Sequence, residues 1–284
     1  MRSLLKGIGL LTHAQLVMAF SAVCYVETAA LVIAGRGASS AWLAAAGFGT
    51  LGIYLLDSVR SADREDGMSQ PVRAAIFRRM RGVAMLWALL SLVLAVFFSL
   101  AAGPSAFALL VLVILGVLGA AYLLPVLPSR SGLVTLKSHA WAKPFAISIA
   151  WLVGALLIAI ETVPSNQDIA WSAVLSFSLL SFPLLLLDSL WLDRRDRVPD
   201  AAFDHPTLAG ELSARLFLFA RVGLFLLPLI AIPFTGFFLV FSFWIGAVWL
   251  LLIEPGRLAY EASRVWLAAF WRMTALIGAL TLIG

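Results

Sequence analysis

An all-α integral membrane bundle is the fold class the sequence predicts, and three observations carry it. Hydrophobic residues make up 62% of the 284 positions and charged residues only 12%, with a mean hydropathy of +1.02. That leaves too few charges to coat a soluble surface of this size. The apolar runs are long enough to cross a hydrocarbon core of roughly 30 Å as helices, and none alternates apolar with polar residues as barrel strands do.

Nine spans are predicted, over 12–34, 40–58, 82–102, 105–124, 141–161, 169–192, 214–233, 235–253 and 265–284. The first is expected to be retained, because its apolar stretch is too long for a cleaved signal and carries Glu27. It also holds Cys24, the single cysteine, expected as a small core residue with no disulfide partner. Gly35-Arg36-Gly37, Gly103-Pro104-Ser105, Pro164-Ser165-Asn166 and Pro233-Phe234-Thr235-Gly236 make short turns at one end of the bundle. Gly and Pro break helices there, while Ser and Asn bond locally. Longer polar connections fall at the other end, and in one of them Thr207, ahead of Gly210 and Glu211, marks a helix start. Pro183 and Pro228 lie inside spans and are expected to kink them. Glu27 and Glu161 sit near the outer span ends, where a carboxylate reaches interfacial water.

With the N-terminus placed in the cytoplasm, nineteen of the twenty Lys and Arg residues collect on the inner side, leaving Arg36 alone outside. A bias this one-sided sets the orientation by the positive-inside rule, with the C-terminus outside and a bacterial inner membrane as the expected location. The asymmetry also accounts for the net charge of +5, so no nucleic acid partner is invoked. The basic residues would meet anionic membrane lipids instead.

Two similar segments, about 130 residues apart, follow the second and sixth spans. One reads Leu55-Leu56-Asp57-Ser58 and continues to Asp63-Arg64-Glu65-Asp66; the other reads Leu186-Leu187-Asp188-Ser189 and continues to Asp193-Arg194-Arg195-Asp196. Carboxylates at a helix end in a bilayer are costly unless solvated, paired or metal-bound, so the repetition points to a duplicated polar site. The whole chain, 1–284, is read as one transmembrane domain of two parallel pseudo-repeats, about 12–124 and 141–253, with the site between them and the ninth helix, about 265–284, appended. Carboxylates arriving from two sides, Asp57, Asp63 and Asp66 against Asp188, Asp193 and Asp196, have the chemistry of an oxygen cage for Mg²⁺. The interleaved cations, with Lys137 and Lys143, are suited to neutralising a departing diphosphate.

At these residues the sequence resembles the UbiA superfamily of membrane prenyltransferases. Tyr122-Leu123-Leu124-Pro125, Leu136-Lys137, Lys143 and Trp151 are similar to features of that family, as is the placement of the two acidic segments. The motifs themselves depart from the pattern. Leu56 stands for its Asn, Arg60 and Arg64 for its second and third Asp, and Leu187, Trp191 and Arg195 for acidic or amide positions in the second half. The resemblance implies nine helices, a cytoplasmic site, Mg²⁺ as cofactor, and transfer of an isoprenoid group from a prenyl diphosphate to a hydrophobic or aromatic acceptor. Asp57 and Asp188 would be catalytic, with Lys137, Lys143, Arg60, Arg64 and Arg194 on the diphosphate. Trp191 would cover the prenyl cation with its ring.

Other readings stay open. Asp63 and Asp193 with their neighbouring arginines also read as solvated helix ends, and Lys137 and Lys143 as anchors at the inner membrane face. A UbiA-type terpene cyclase would use the same cation without an acceptor. A non-catalytic lipid- or quinone-binding protein would keep the fold and not the chemistry, as the arginines at acidic positions favour. His13, His139 and His205 have no ligand spacing for zinc.

Overall fold

The structure, a computed structural model, describes residues 15–63, 65–129, 132–202, 207–235, 237–253 and 270–282. Apolar helices form where spans were predicted: α1 (Leu16–Ala34), α2 (Ser40–Ser61), α5 (Arg81–Ala101), α6 (Ala106–Leu123), α7 (Ala142–Thr162), α8 (Trp171–Ala202), α10 (Ala214–Leu226), α12 (Phe237–Leu252) and α13 (Phe270–Leu280). Seven of these, counting α10 with the turn behind it, are long and apolar enough to cross a membrane; α12 and α13 are shorter apolar helices. The opening residues of the first and ninth predicted spans lie outside the described residues.

The predicted punctuation works as caps. Ser39, Ser105 and Ser213 each accept a hydrogen bond from a backbone amide in the first turn of the helix they precede, those of Trp42, Ala108 and Leu216. Gly35 closes α1 at φ 64°, a left-handed conformation that costs glycine no steric penalty. At the same end Glu27 accepts from the Ala38 amide, Arg36 donates to the Thr162 carbonyl, and Glu161 accepts from both the amide and hydroxyl of Ser105. Glu27 and Glu161 are thus tied to turns as well as lying near span ends.

The opposite end departs from expectation in two ways. α2 runs three residues past its predicted end, and α8 runs ten residues past, through the whole second acidic segment. That segment is therefore helix and not loop. Asp193, Asp196 and Asp200 recur three and four residues apart, so a helix gathers them on one side, where they meet cations. Beyond α2 come the short helices α3 (Glu65–Ser69) and α4 (Pro71–Arg79), the latter begun by Pro71 at its first turn. A two-stranded antiparallel hairpin, β1 (Leu127–Ser129) and β2 (Gly132–Val134), and a 3₁₀ turn at Leu136–Ser138 lead into α7. Thr207 caps α9 (Leu208–Glu211) by accepting from the Gly210 amide, as its position predicted. α8 continues through Pro183, whereas Pro228 lies in a 3₁₀ turn, Leu227–Ala231, ahead of α11 (Ile232–Thr235).

α8 is the central helix, touching α7, α9, α10, α12 and α3, and α1 packs against α2, α7 and α13. Tyr25, Trp151, Phe177, Phe243 and Trp271 fill the space between them, with ring centroids 5.4–6.3 Å apart. The Tyr25 hydroxyl is satisfied by Ser181 at 2.9 Å, and Cys24 is buried as expected. α5 and α6 instead present mostly exposed apolar side chains, the surface that lipid covers. α12 and α13 approach through glycine notches. A methyl group at Gly246 would overlap Thr274 and the Trp271 backbone, and one at Gly278 would overlap Ser242.

Gly246→Val is accordingly expected to lower stability by about 1–3 kcal/mol through overpacking. Gly116→Ala in α6, where an added methyl meets nothing within 4 Å, should be neutral or stabilising by up to about 1 kcal/mol. Thermal unfolding of the two variants in detergent checks the contrast.

Candidate functional site

The polar end of the bundle holds a layer of paired charges built from α2, α3, α4, the 3₁₀ turn, α7 and α8. In the first half, Asp57 faces Lys137 at 3.5 Å and keeps 32% of its side-chain surface exposed. Asp66 is buried on α3, where Arg73 of α4 and the Ser61 hydroxyl both donate to its Oδ2. Asp63 pairs with Arg81 at 2.9 Å on the exposed surface. In the second half, Lys143 lies 2.9 Å from both Asp193 and Asp200, and Asp196 is gripped by the neighbouring Arg195 through two hydrogen bonds.

The two halves meet here. α3 packs on α8, and Arg195 has Asp66 and Asp200 among its electrostatic neighbours while Asp196 has Arg73. Tyr122, near the end of α6, has Asp57, Lys143, Asp193 and Tyr54 around it. A pocket of about 550 Å³ is lined by Leu127, Leu136 and residues 138–142. Burial pushes the Asp200 carboxyl up to about 6, against the opposing pull of Lys143.

Asp188 has a different setting. It is buried among apolar side chains and forms an ion pair with Arg272 of α13, whose guanidinium carbon lies 4.2 Å from the Trp151 ring and 4.8 Å from the Trp271 ring. Two indole faces and one carboxylate thus neutralise a guanidinium in the bundle interior. Sequence reasoning had counted Arg272 only as an inner-face charge. Its partner 84 positions upstream carried no local signal.

Other predicted residues are engaged elsewhere. Arg194 donates to the Ala209 and Leu212 carbonyls and stacks on Phe217, so it holds α9 and the turn after it. Trp191 is buried, and its indole N–H donates to the Ile253 carbonyl behind α12, beside Arg221, which donates to the Leu250 and Leu251 carbonyls. Arg60, half-buried in the last turn of α2, makes no ion pair among the described residues. Arg64 lies outside the described residues. Asp200 and Arg73 were missed; the signal for Asp200 was its helical spacing from Asp193 and Asp196.

Among the described residues no group of three or more Asp, Glu, His or Cys side chains is arranged to hold a metal ion. The six aspartates expected as ligands each face a basic side chain.

Fold and site together define an all-α membrane-embedded bundle with an ion-paired layer at one end. Neither a family model nor a curated protein matches the sequence. The solved structure of digeranylgeranylglyceryl phosphate synthase, described as working in membranes, is similar with a TM-score of 0.57 and 15% identity over 96% of this chain and 99% of that one. The chain therefore shares the fold of that synthase, an all-α membrane bundle.

Two tests address the layer's energetics. Asp188→Leu and Arg272→Met should each cost about 3–5 kcal/mol by leaving a buried charge unpaired, while the double variant should recover most of the loss. Thermal unfolding of all four forms gives the coupling. For Asp200, the folded carboxyl holds its proton up to about 6 against 3.8 for the unfolded chain. Its stabilising contribution is full below the lower value and disappears as pH rises through the upper one. Asp200→Asn should remove that slope, read as the difference between wild-type and variant unfolding midpoints across the range.

Proposed function

We propose that the chain binds a prenyl diphosphate at the ion-paired layer and transfers its isoprenoid group to a hydrophobic or aromatic acceptor, at the cytoplasmic face of the membrane. The observation that carries this reading is the convergence of Asp57, Lys137, Lys143, Asp193 and Tyr122 at one end of a bundle with the membrane prenyltransferase fold. Lys137, facing the one-third-exposed Asp57, and Arg60, one turn further along α2, are the cations that receive the diphosphate, with Lys143 and Tyr122 in the same layer. Cleavage of the C1–O bond leaves the electron pair on the diphosphate, where cations stabilise the developing charge. The acceptor's nucleophilic atom bonds to the allylic cation and loses its proton, for which Asp57 is the accessible carboxylate. Asp188 acts at a distance from this chemistry, holding Arg272 and with it α13. No step is assigned to Mg²⁺, because the aspartates already carry cationic partners.

A second reading is favoured by the same pairing. With the six aspartates of the repeated segments each facing a basic side chain, the bundle would serve as a non-catalytic binder of a lipid or quinone.

Calorimetric titration of geranylgeranyl diphosphate and of geranylgeraniol into the protein in detergent separates the two. The transferase reading expects the diphosphate to bind at least about tenfold tighter, a difference of about 1.4 kcal/mol, and Lys137→Met to remove that preference. Equal binding of the alcohol, unaffected by Lys137→Met, would sink it in favour of the lipid or quinone binder. Diphosphate release in the presence of an aromatic acceptor then tests turnover.

A further inference from the structure

Among the described residues, seven side-chain nitrogen and oxygen atoms are buried without a hydrogen-bond partner, and four of them gather at one ion pair: Asp188 Oδ1, Arg272 Nε and Nη1, and Trp271 Nε1. Asp188, Arg272 and Trp271 are 3%, 2% and 0% exposed, so bulk water does not reach them. A buried donor or acceptor left without a partner is costly, and native cores satisfy such groups. The pair itself uses only Arg272 Nη2 and Asp188 Oδ2. The indole faces of Trp151 and Trp271 offset the guanidinium charge but hold no oxygen for its N–H groups. Three donor nitrogens and one carboxylate oxygen are left over, and the two ions together carry no net charge. Aromatic rings surround them, with Tyr25 lying 6.0 Å from Trp151 and 5.7 Å from Trp271 between centroids. Tyr54, one turn before Asp57 on α2, is hydrogen-bonded to Trp151 and has Arg272, Asp188 and Asp57 as charged neighbours, so this place adjoins the ion-paired layer.

We infer that Asp188, Arg272 and Trp271 form a seat for an uncharged aromatic head group bearing a hydroxyl or carbonyl oxygen, as in a phenol or a quinone. The balanced ion pair selects a neutral guest, because an anion or a cation would add an uncompensated charge to the apolar core. The excess of donors selects oxygen. Such an oxygen accepts from Arg272 and Trp271, and a hydroxyl also gives its own proton to Asp188 Oδ1 in a hydrogen bond. The surrounding rings select a flat aromatic body through stacked and edge contacts. The ion pair stays closed throughout, so neither charge is stranded. The role of this seat as the place of the transferase's acceptor rests on the prenyl-transfer reading above; the seat itself does not.

The probes are naphthol, naphthalene, which lacks the oxygen, and naphthoate, which carries a charge. Each is titrated calorimetrically at neutral pH into the full chain in detergent, against a protein-free detergent blank. The proposal expects naphthol to bind about tenfold or more tighter than either relative. Trp271→Phe, which keeps a ring and leaves the ion pair intact, should reduce that preference about threefold or more without changing the affinity for naphthalene. Arg272→Lys keeps a charge facing Asp188 but loses the planar fork, and should remove most of the preference. Thermal unfolding midpoints check that both variants are folded, and the comparison of probes in the unaltered protein stands without them. Equal binding of naphthol and naphthalene overturns the proposal, as when water alone completes these four atoms or the two ions close into a two-bond fork. Tighter binding of naphthoate, or a preference that both folded variants keep, overturns it too. Geranylgeranyl diphosphate and geranylgeraniol titrated into the same proteins keep the two readings apart. A diphosphate preference without a naphthol preference sinks only the head-group seat, whereas a naphthol preference without a diphosphate preference leaves the seat standing and sinks prenyl transfer.

Discussion

Charge neutrality inside an apolar bundle is the constraint on which the rest of this structure depends. A carboxylate carried into the hydrophobic interior by a membrane helix must find a cation, because burying it alone costs far more than any single contact returns. The fold meets this requirement by drawing cations from other elements, near and far along the chain. Arg272 crosses from α13 to Asp188 on α8, Lys143 comes from the start of α7 to Asp193, and Arg73 comes from α4 to Asp66. Each pair ties two elements together. The ion pairs therefore fix which helices are neighbours at the polar end, as the glycine notches between α12 and α13 fix how closely that pair approaches.

The same constraint explains why the second acidic segment is helical. Read by polarity, α8 should end near residue 192. Read by neutralisation, it can continue, since Lys143 faces Asp193 and Asp200 together and Arg195 covers Asp196 on the same helix. Polarity ended the predicted span, but partnered polarity does not end a helix. Partners cannot be read from a single sequence when they lie 50 or more positions away.

What was legible followed from local physics. The apolar runs located every major helix, Ser105 and Thr207 fell where helices begin, and Gly35 fell at an end, because span length and capping are properties of neighbouring residues. The candidate site was legible only in part. The convergence of Asp57 and Lys137 could be anticipated from the two segments and the resemblance, whereas the roles of Asp200, Arg73 and Arg272 depend on three-dimensional partners. Arg194 and Trp191 were read as facing the site, yet both are used as donors to backbone carbonyls at helix ends. In an apolar bundle such carbonyls lack water as an alternative partner, so they compete with any ligand for nearby N–H donors.

The repeated Leu-Leu-Asp-Ser sequence shows how the two halves have come to do different work. Asp57 and Asp188 begin from the same four residues, but Asp57 is one-third exposed and 3.5 Å from Lys137, and Asp188 lies in the core under a guanidinium held between two indoles. The pair at Asp188 is enclosed, and opening it would strand two charges among aromatic rings. The rigid pair holds α7, α8 and α13 in register around the aromatic core.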